Sequence, residues 1–250
     1  MIRFTAQQKI LVTGASSGIG RATALLLNRL GAVVIASGRK DKTLQDVRAA
    51  SDAPENFHVE VKDLAYELDL LPAWVASLRE RHGKLHGFAH CAGQTWNEPM
   101  QAYTREKALK TFDICCHAPL LLAKGFIDRR NNTGPGASLV FIAAAAALAP
   151  NRAQGMYAAA KAALITAARC LSLEVAPRKL RVNCVSPGLV ETPMMDETVR
   201  LLGNEFLLRE AEHYPLGIGQ PTDVAGLAAY LLSEQARWMT GNNILITGGR

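Results

Sequence analysis

Long hydrophobic runs are missing from this chain of 250 residues, and no stretch reaches the roughly 18 apolar residues that a membrane-spanning helix needs. Cysteine is scarce: there are five, none in CxxC spacing, so we expect reduced thiols rather than disulfides or a zinc site. The six histidines form no HExxH motif, and we expect no metal cofactor. Residues 1–8 contain no signal-peptide core, so we expect a cytoplasmic protein.

Charge of one sign is not concentrated in any part of the sequence. The formal net charge is +6, but lysine and arginine are scattered rather than striped, so a nucleic-acid partner is not indicated. Hydrophobic residues make up 49% of the chain and charged residues 20%, as in ordinary globular enzymes. We therefore expect neither nucleic acid nor membrane as a partner, and an anionic cofactor or substrate is the simpler explanation of the positive charge.

Short apolar runs rich in β-branched residues alternate with helical patterns along the whole chain. The predicted strands are 10–12, 33–37, 57–61, 85–89, 139–144, 181–185 and 243–246. The predicted helices are 22–30, 41–50, 67–81, 104–130 with an interruption at Pro119, 157–176 and 222–233. This alternation predicts an α/β fold: a single domain over residues 1–250, with a Rossmann-type doubly wound parallel sheet of about seven strands and helices on both faces.

Residues 9–20 read KILVTGASSGIG, a buried strand followed by a turn rich in glycine and serine. Glycines allow a tight turn and a close approach of a ligand to the backbone. The unpaired amides of the following helix, together with its dipole, then form an anion site that suits a nucleotide pyrophosphate. The alternative is an ordinary strand–turn–helix corner. The candidate cofactor-binding residues in this segment are Gly14, Ser16, Ser17, Gly18, Ile19 and Gly20.

The end of the second predicted strand bears on the choice of cofactor. In this fold an acidic side chain there holds the ribose 2′-hydroxyl of NAD, whereas a basic one favours the 2′-phosphate of NADP. Gly38 stands in the acidic position, and Arg39 and Lys40 follow it. The alternative is that the two cations form a solvated surface pair. We expect NADP(H) as the cofactor, with Arg39 among its ligands.

Tyr157 and Lys161 are one helical turn apart, so both project from the same face of a predicted helix. Free tyrosine has a pKa of about 10 and is a poor acid or base at neutral pH. A neighbouring lysine ammonium and an oxidised nicotinamide would stabilise the phenolate and lower that pKa. The phenol can then donate a proton to a carbonyl oxygen as a hydride reaches the carbon. The alternative is a helix with one packed tyrosine and one exposed lysine.

The TGASSGIG and YAAAK segments resemble the TGxxxGxG and YxxxK motifs of the short-chain dehydrogenase/reductase family. The pattern is most similar to FabG-like 3-oxoacyl-carrier-protein reductases, and the similarity runs from Lys9 to Gly249. The resemblance implies that Tyr157 and Lys161 are the catalytic pair and also contact the cofactor. Asp63 would hold the adenine with Leu64, although it could instead cap a helix. Further cofactor contacts are implied at Cys91, Ala92, Gly93, Pro187, Gly188, Val190 and Thr192.

The sequence departs from the family pattern in three places. Ala144 stands where the family has a serine that bonds the substrate carbonyl, and such a donor is worth roughly 10²–10³ in rate. Cys115 stands where the family has an asparagine whose backbone carbonyl holds a proton-relay water. Pro119 has no N–H, so we expect the Cys115 carbonyl to lack its usual helical partner. Residues 90–93 read HCAG where the family has NNAG, so the asparagine side chains that brace the central strands are missing.

Residues 191–216 correspond in position to the family's substrate loop. They form either a mobile lid over an apolar substrate or helices packed on the core or on another subunit. The apolar residues of this segment are Met194, Met195, Leu201, Leu202, Phe206, Leu207 and Leu208.

Taken together, the sequence predicts an NADPH-dependent oxidoreductase that reduces a ketone to a secondary alcohol, with Tyr157 as the acid. A β-ketoacyl thioester is one candidate substrate. The second hypothesis is a catalytically impaired relative that serves as a cofactor-binding subunit of a mixed oligomer or as an NADPH sensor. The resemblance also implies a homo-oligomer, either a dimer or a tetramer.

Overall fold

The computed structural model describes residues 2–95 and 97–250, apart from the side chains of residues 201, 202, 204 and 206. Within these ranges, seven parallel strands form one sheet, and helices cover both of its faces. The strands are β1 (Lys9–Thr13), β2 (Val33–Gly38), β3 (Phe57–Val61), β4 (Gly87–His90), β5 (Ser138–Ile142), β6 (Arg181–Pro187) and β7 (Asn243–Ile246). The helices are α1 (Gly18–Arg29), α2 (Asp41–Ala49), α3 (Leu71–His82), α4 (Arg105–Phe112), α5 (Ala118–Ile127), α6 (Gly155–Val175), α7 (Pro193–Leu202), α8 (Asn204–Ala211) and α9 (Pro221–Leu232).

The strand order β3-β2-β1-β4-β5-β6-β7 confirms the doubly wound sheet. The order reverses between β1 and β4, where Thr13 pairs with Ser37 of β2 on one side and with His90 of β4 on the other. In such sheets a crevice opens at the carboxyl ends of the strands beside the reversal. The Gly-rich turn, the strand ends near Arg39 and Asp63, and the HCAG segment therefore share one edge of the sheet.

Two apolar cores, one on each face, explain why the strands are continuously hydrophobic. Ile10 and Val12 of β1 pack toward the layer of α1, α2 and α9. Leu11, between them, packs toward α3, α5 and α6 on the opposite face. Because both faces are buried, the alternation of side chains along each strand contributes to both cores.

The long helix predicted over 104–130 is interrupted earlier than expected. A π-helical turn at Asp113–His117 separates α4 from α5 and begins six residues before Pro119. The N–H of Ala118 bonds the carbonyl of Asp113, five residues back, rather than that of Ile114. Pro119 has no N–H to offer, so the carbonyls of Ile114 and Cys115 both lack a partner at the usual helical spacing. The expectation for Cys115 is thus consistent with the structure, and the irregularity is wider than predicted.

Other element boundaries differ by a few residues. The fifth strand ends at Ile142 rather than at residue 144. Ala144 still has an extended backbone, but a short 3₁₀ turn at Ala145–Ala147 follows it directly. The first helix begins at Gly18 rather than at residue 22, directly inside the Gly-rich turn. Segment 191–216 forms α7 and α8, so it contains helices rather than an irregular loop. The predicted apolar side chains Leu201, Leu202 and Phe206 lie outside the described residues.

No helix in the described part of the chain combines the length and the hydropathy that crossing a bilayer requires.

Candidate functional site

The turn between β1 and α1 is shaped by glycines that no other residue could replace without a backbone shift. Gly14 and Gly18 have φ angles of +67° and +51°, in the left-handed region that disfavours side chains. A Cβ on Gly20 would lie 2.1 Å from the carbonyl oxygen of Gly14. Ser17, at the N-cap of α1, makes no side-chain cap, so the first amides of this helix have no side-chain acceptor. This turn fits a phosphate group at a helix N-terminus.

The ends of β2 and β3 bring Arg39 and Asp63 to neighbouring positions on the same edge. Gly38 pairs with Val61, and Arg39 follows it as an exposed side chain. The carboxylate of Asp63 accepts a hydrogen bond from the N–H of Ala65 at 3.0 Å and stays exposed. Asp63 therefore closes a local turn, and its second carboxylate oxygen is not occupied by that bond.

His90 lies at the end of β4 and is fully buried. Its Nδ1 shares a hydrogen bond with Thr13 Oγ1 at 2.9 Å, which links β4 to β1 directly before the Gly-rich turn. Burial, assisted by the positive charge of Lys161, lowers the pKa of His90 to about 3, so the ring is neutral at physiological pH. This histidine supplies a link between the central strands at the position where the family has an asparagine.

The next residues along this edge are Cys91 and Gly93. Burial raises the pKa of the Cys91 thiol to about 12, so it remains protonated and is a poor nucleophile. A Cβ on Gly93 would lie 3.7 Å from Lys161 Nζ, with no other heavy atom within 4 Å among the described residues. The space beside the lysine ammonium is therefore open to a ligand.

Tyr157 and Lys161 lie on the first turns of α6, as the YxxxK spacing predicts. Lys161 is buried, its Nζ is 5.9 Å from the centre of the Tyr157 ring, and it donates a hydrogen bond to the carbonyl of Ile142 at 2.7 Å. The predicted lowering of the phenol pKa involves the charge of an oxidised nicotinamide as well as that of Lys161, and it stays a prediction. Burial raises the pKa of Tyr157 above its usual value, and the nearby Cys115 thiol acts in the same direction. The protonated phenol is the favoured form.

Ala144 and Cys115 are the two positions at which the sequence analysis expects family residues to be replaced, and that expectation stays a prediction. Ala144 and Ala143 are buried and line the pocket beside Tyr157, and neither offers a hydroxyl. Ser138 does not substitute, because its hydroxyl donates to the carbonyl of Leu231 at 2.9 Å. The Cys115 thiol donates to the carbonyl of Gln94 at 3.3 Å and so ties the π-helical turn to the segment after β4.

One pocket of about 270 Å³ brings much of the predicted site together. Thr192 lies in its wall and caps α7, since its Oγ1 accepts a hydrogen bond from the N–H of Met195 at 3.3 Å. The predicted residues in the wall are Ile19, Cys91, Gly93, Tyr157, Lys161, Pro187, Gly188, Val190 and Thr192. The predicted residues outside it are Gly14, Ser16, Ser17, Gly18, Gly20, Arg39, Asp63, Leu64 and Ala92. The second group lies along the strand ends that a dinucleotide would cover.

The same wall contains residues that the sequence analysis did not identify. Asn151, Glu210, Tyr214 and Arg250 meet there although they are far apart in the chain. Arg250 and Asn151, for example, are 99 residues apart and share a hydrogen bond of 2.9 Å. No local spacing could have indicated this cluster.

Comparison with known proteins agrees with the geometry. A family model described as Enoyl-(Acyl carrier protein) reductase matches residues 14–250. The chain is 33% identical to the 3-oxoacyl-[acyl-carrier-protein] reductase FabG of Aggregatibacter actinomycetemcomitans over 97% of this chain and 98% of the relative. It is 31% identical to dehydrogenase/reductase SDR family member 4 of Homo sapiens over 98% of this chain and 87% of that protein. A solved short-chain type dehydrogenase/reductase from Mycobacterium ulcerans has a TM-score of 0.88 and 30% identity, covering 99% of this chain and 90% of that one.

Proposed function

The chain belongs to the short-chain dehydrogenase/reductase family, whose members use nicotinamide cofactors, and on that premise we propose that it is an NADPH-dependent ketoreductase. The observation that carries the proposal is the pocket that Tyr157 and Lys161 share with the wall formed by Pro187, Gly188 and Thr192. NADPH, when bound, supplies a hydride to the carbonyl carbon of the substrate. The other roles in the reaction are carried out by side chains of the protein.

Tyr157 acts as the proton donor. Its hydroxyl gives a proton to the carbonyl oxygen as the carbon is reduced, and the product is a secondary alcohol. The phenol is protonated at neutral pH and so carries the proton that the reduction needs, since burial raises the pKa of Tyr157 above its usual value. Lys161 uses one N–H on the Ile142 carbonyl, and its other donors are available to a ribose hydroxyl beside Gly93.

The preference for NADPH rests on Arg39 and on the absence of an acidic side chain at Gly38. A guanidinium can form a bidentate contact with a phosphate, whereas it gains much less from a ribose hydroxyl. The proposed substrate is a small ketone or a β-ketoacyl thioester, and the words 3-oxoacyl-[acyl-carrier-protein] in the name of the FabG relative support the second. We also propose that segment 191–216 acts as its lid.

Further proposals concern the setting of the enzyme. We propose a homo-oligomer, either a dimer or a tetramer. It is supported by three large apolar side chains that lie exposed, namely Leu173 at 72%, Leu216 at 85% and Trp238 at 94%. Sedimentation would measure the mass of the assembly. The five free cysteines support a reducing, cytoplasmic environment.

A second candidate function is favoured by Ala144 and Cys115. Without the family serine, the carbonyl oxygen loses a donor worth roughly 10²–10³ in rate. The chain would then bind NADPH as a sensor or as a subunit of a mixed oligomer. Tyr157 would remain a packing residue.

The two candidates are distinguished by following NADPH oxidation with a panel of diketones and β-keto thioesters. We expect turnover by the wild type, a loss of at least about 10²-fold in Tyr157→Phe, and a gain of about tenfold or more in Ala144→Ser. NADPH should still bind both variants, because neither removes a phosphate ligand, although Tyr157→Phe also loses a predicted contact of the phenol with the cofactor. A wild type that is inert while Ala144→Ser is active would instead support the impaired relative.

A further inference from the structure

Four polar side chains form a closed hydrogen-bonded cluster in the wall of the pocket that contains Tyr157. The guanidinium of Arg250 forms an ion pair with Glu210. It also donates to Asn151 Oδ1 at 2.9 Å and to the hydroxyl of Tyr214 at 3.3 Å. Asn151 Nδ2 donates to Glu210 Oε2 at 3.2 Å, and this bond closes a ring of Arg250, Glu210 and Asn151. Tyr214 joins the ring through Arg250.

The ion pair in this cluster is sheltered from water. The side chains of Arg250 and Glu210 are 30% and 15% exposed. Helix α8, which carries Glu210, also has an ion pair between Arg209 and Glu205. These two side chains are 80% and 87% exposed, and their charged nitrogen and oxygen atoms are 3.6 Å apart. Exposed ion pairs of that kind contribute little to stability, whereas a sheltered pair whose two partners make further hydrogen bonds is held in a more fixed geometry.

The cluster joins segments that are far apart in the chain. Glu210 belongs to α8, Asn151 to the loop after β5 that also carries Ala144, and Arg250 follows β7. The hydroxyl of Tyr214 accepts a hydrogen bond from the N–H of Leu189 at 2.9 Å, which reaches the segment after β6. The ring of Tyr214 lies so close to Gly188 that a Cβ there would be 2.8 Å from it. Helix α8 is thus tied through Glu210 to the loop after β5 and to the segment after β7, and Tyr214, three residues beyond α8, contacts the segment after β6.

We propose that Arg250 and Glu210 form a clasp that fixes α8 as one wall of the substrate pocket and so determines which ketones bind. Both are positioning residues, because they act through α8 and do not take part in proton or hydride transfer. The assignment of ketones as substrates rests on the proposed function. The clasp itself rests only on the contacts of Arg250, Glu210, Asn151 and Tyr214.

The first test measures the clasp without any substrate. Hydrogen exchange of the amides in residues 204–211 is compared in the wild type, Glu210→Gln, Arg250→Lys and the matched control Glu205→Gln. We expect about tenfold faster exchange in Glu210→Gln, because the ion pair is lost. We expect a smaller increase in exchange rate in Arg250→Lys, because lysine keeps the positive charge but lacks the two guanidinium nitrogens that contact Glu210 and Asn151. We expect no increase in Glu205→Gln. Circular dichroism melts check that each variant is folded.

The second test measures turnover of a short diketone with NADPH. We expect KM to rise about tenfold in Glu210→Gln while kcat changes less than about threefold, because the wall moves and the proton donor does not. Equal exchange rates in Glu210→Gln and Glu205→Gln, or a change confined to kcat, would overturn the clasp. If the wild type reduces no ketone but the exchange rates differ as expected, the proposed function fails and the clasp stands.

Discussion

The nucleotide side and the substrate side of this crevice are built in different ways. On the nucleotide side, the turn between β1 and α1 is made by backbone, with Gly14, Gly18 and Gly20 packed too closely for side chains. On the substrate side, the wall is made by side chains such as Asn151 and Arg250, which are 99 residues apart in the chain. The glycine spacing of the first region lies within a dozen residues, whereas the second region is assembled only by the whole fold.

The two regions also differ in how they compare with the family pattern used in the sequence analysis. The nucleotide side has the TGxxxGxG spacing, and a Cβ on Gly14 or Gly20 would collide with backbone. The substrate side has Ala144 at the position where that pattern leads us to expect a serine, and it carries a charged cluster at Arg250 and Glu210. Side chains that meet through tertiary packing can be exchanged one at a time without disturbing the glycine turn.

The largest expected effect breaks the nucleotide side. In Gly20→Ala the new Cβ would lie 2.1 Å from the Gly14 carbonyl oxygen, so the turn must open. We expect the free energy of unfolding to fall by at least about 3 kcal/mol and NADPH binding to be lost. Urea unfolding and calorimetric titration measure these two quantities.

The control for this change is Gly226→Ala. Gly226 lies within α9, and a Cβ there would have no heavy atom within 4 Å among the described residues. We expect this variant to be more stable by about 0.5–1 kcal/mol, because alanine loses less entropy in a helix. Equal stability of the two variants would show that the turn is not as tight as the structure indicates.

An effect that appears only as the pH is lowered tests the link between β1 and β4. His90 has a folded-state pKa of about 3, below its unfolded value, so below about pH 6.5 the unfolded chain takes up a proton that the fold excludes. The wild type should therefore lose about 1.4 kcal/mol of stability per pH unit from this residue between about pH 6 and pH 3. Urea unfolding of His90→Asn across this range should show a correspondingly weaker dependence on pH. If the free energy of unfolding depended on pH equally in both proteins, the ring of His90 would already be protonated in the folded state.

The smallest effect sharpens the description of the nucleotide side. We expect Arg39→Gln to weaken NADPH binding about tenfold and to leave NADH binding unchanged, because a charge-assisted contact to a phosphate is lost. Lys124→Gln is the control for net charge, since Lys124 is exposed on α5, on the other face of the sheet. Calorimetric titration of both nucleotides gives the comparison. Equal weakening in the two variants would remove Arg39 from the site.

Local patterns were sufficient for the architecture and for much of the site. The alternation of apolar runs predicted the seven parallel strands, and YxxxK predicted two side chains on one face of α6. The roles of Tyr157, Lys161 and the other site residues remain predictions. The π-helical turn at Asp113–His117 was only partly foreseen, because Pro119 indicates a missing donor but not which carbonyls change partners.

The raised pKa of Tyr157 was not foreseen at all. Sequence reasoning considered how the charge of Lys161 would affect the phenol. In the structure Lys161 donates a hydrogen bond to the Ile142 carbonyl, and burial raises the pKa of the phenol. Desolvation depends on every element packed around a group, and no motif reports it.

By itself, the sequence determined the fold class, the glycine turn and the spacing of the tyrosine and the lysine, because each of these depends on residues within one or two turns of chain. Tertiary structure alone decided the clasp of Arg250 with Glu210, the link of His90 to Thr13 and the protonation state of the phenol. The physical reason is that hydrogen bonds between distant segments, and the exclusion of water from them, exist only once the sheet has brought its strand ends together.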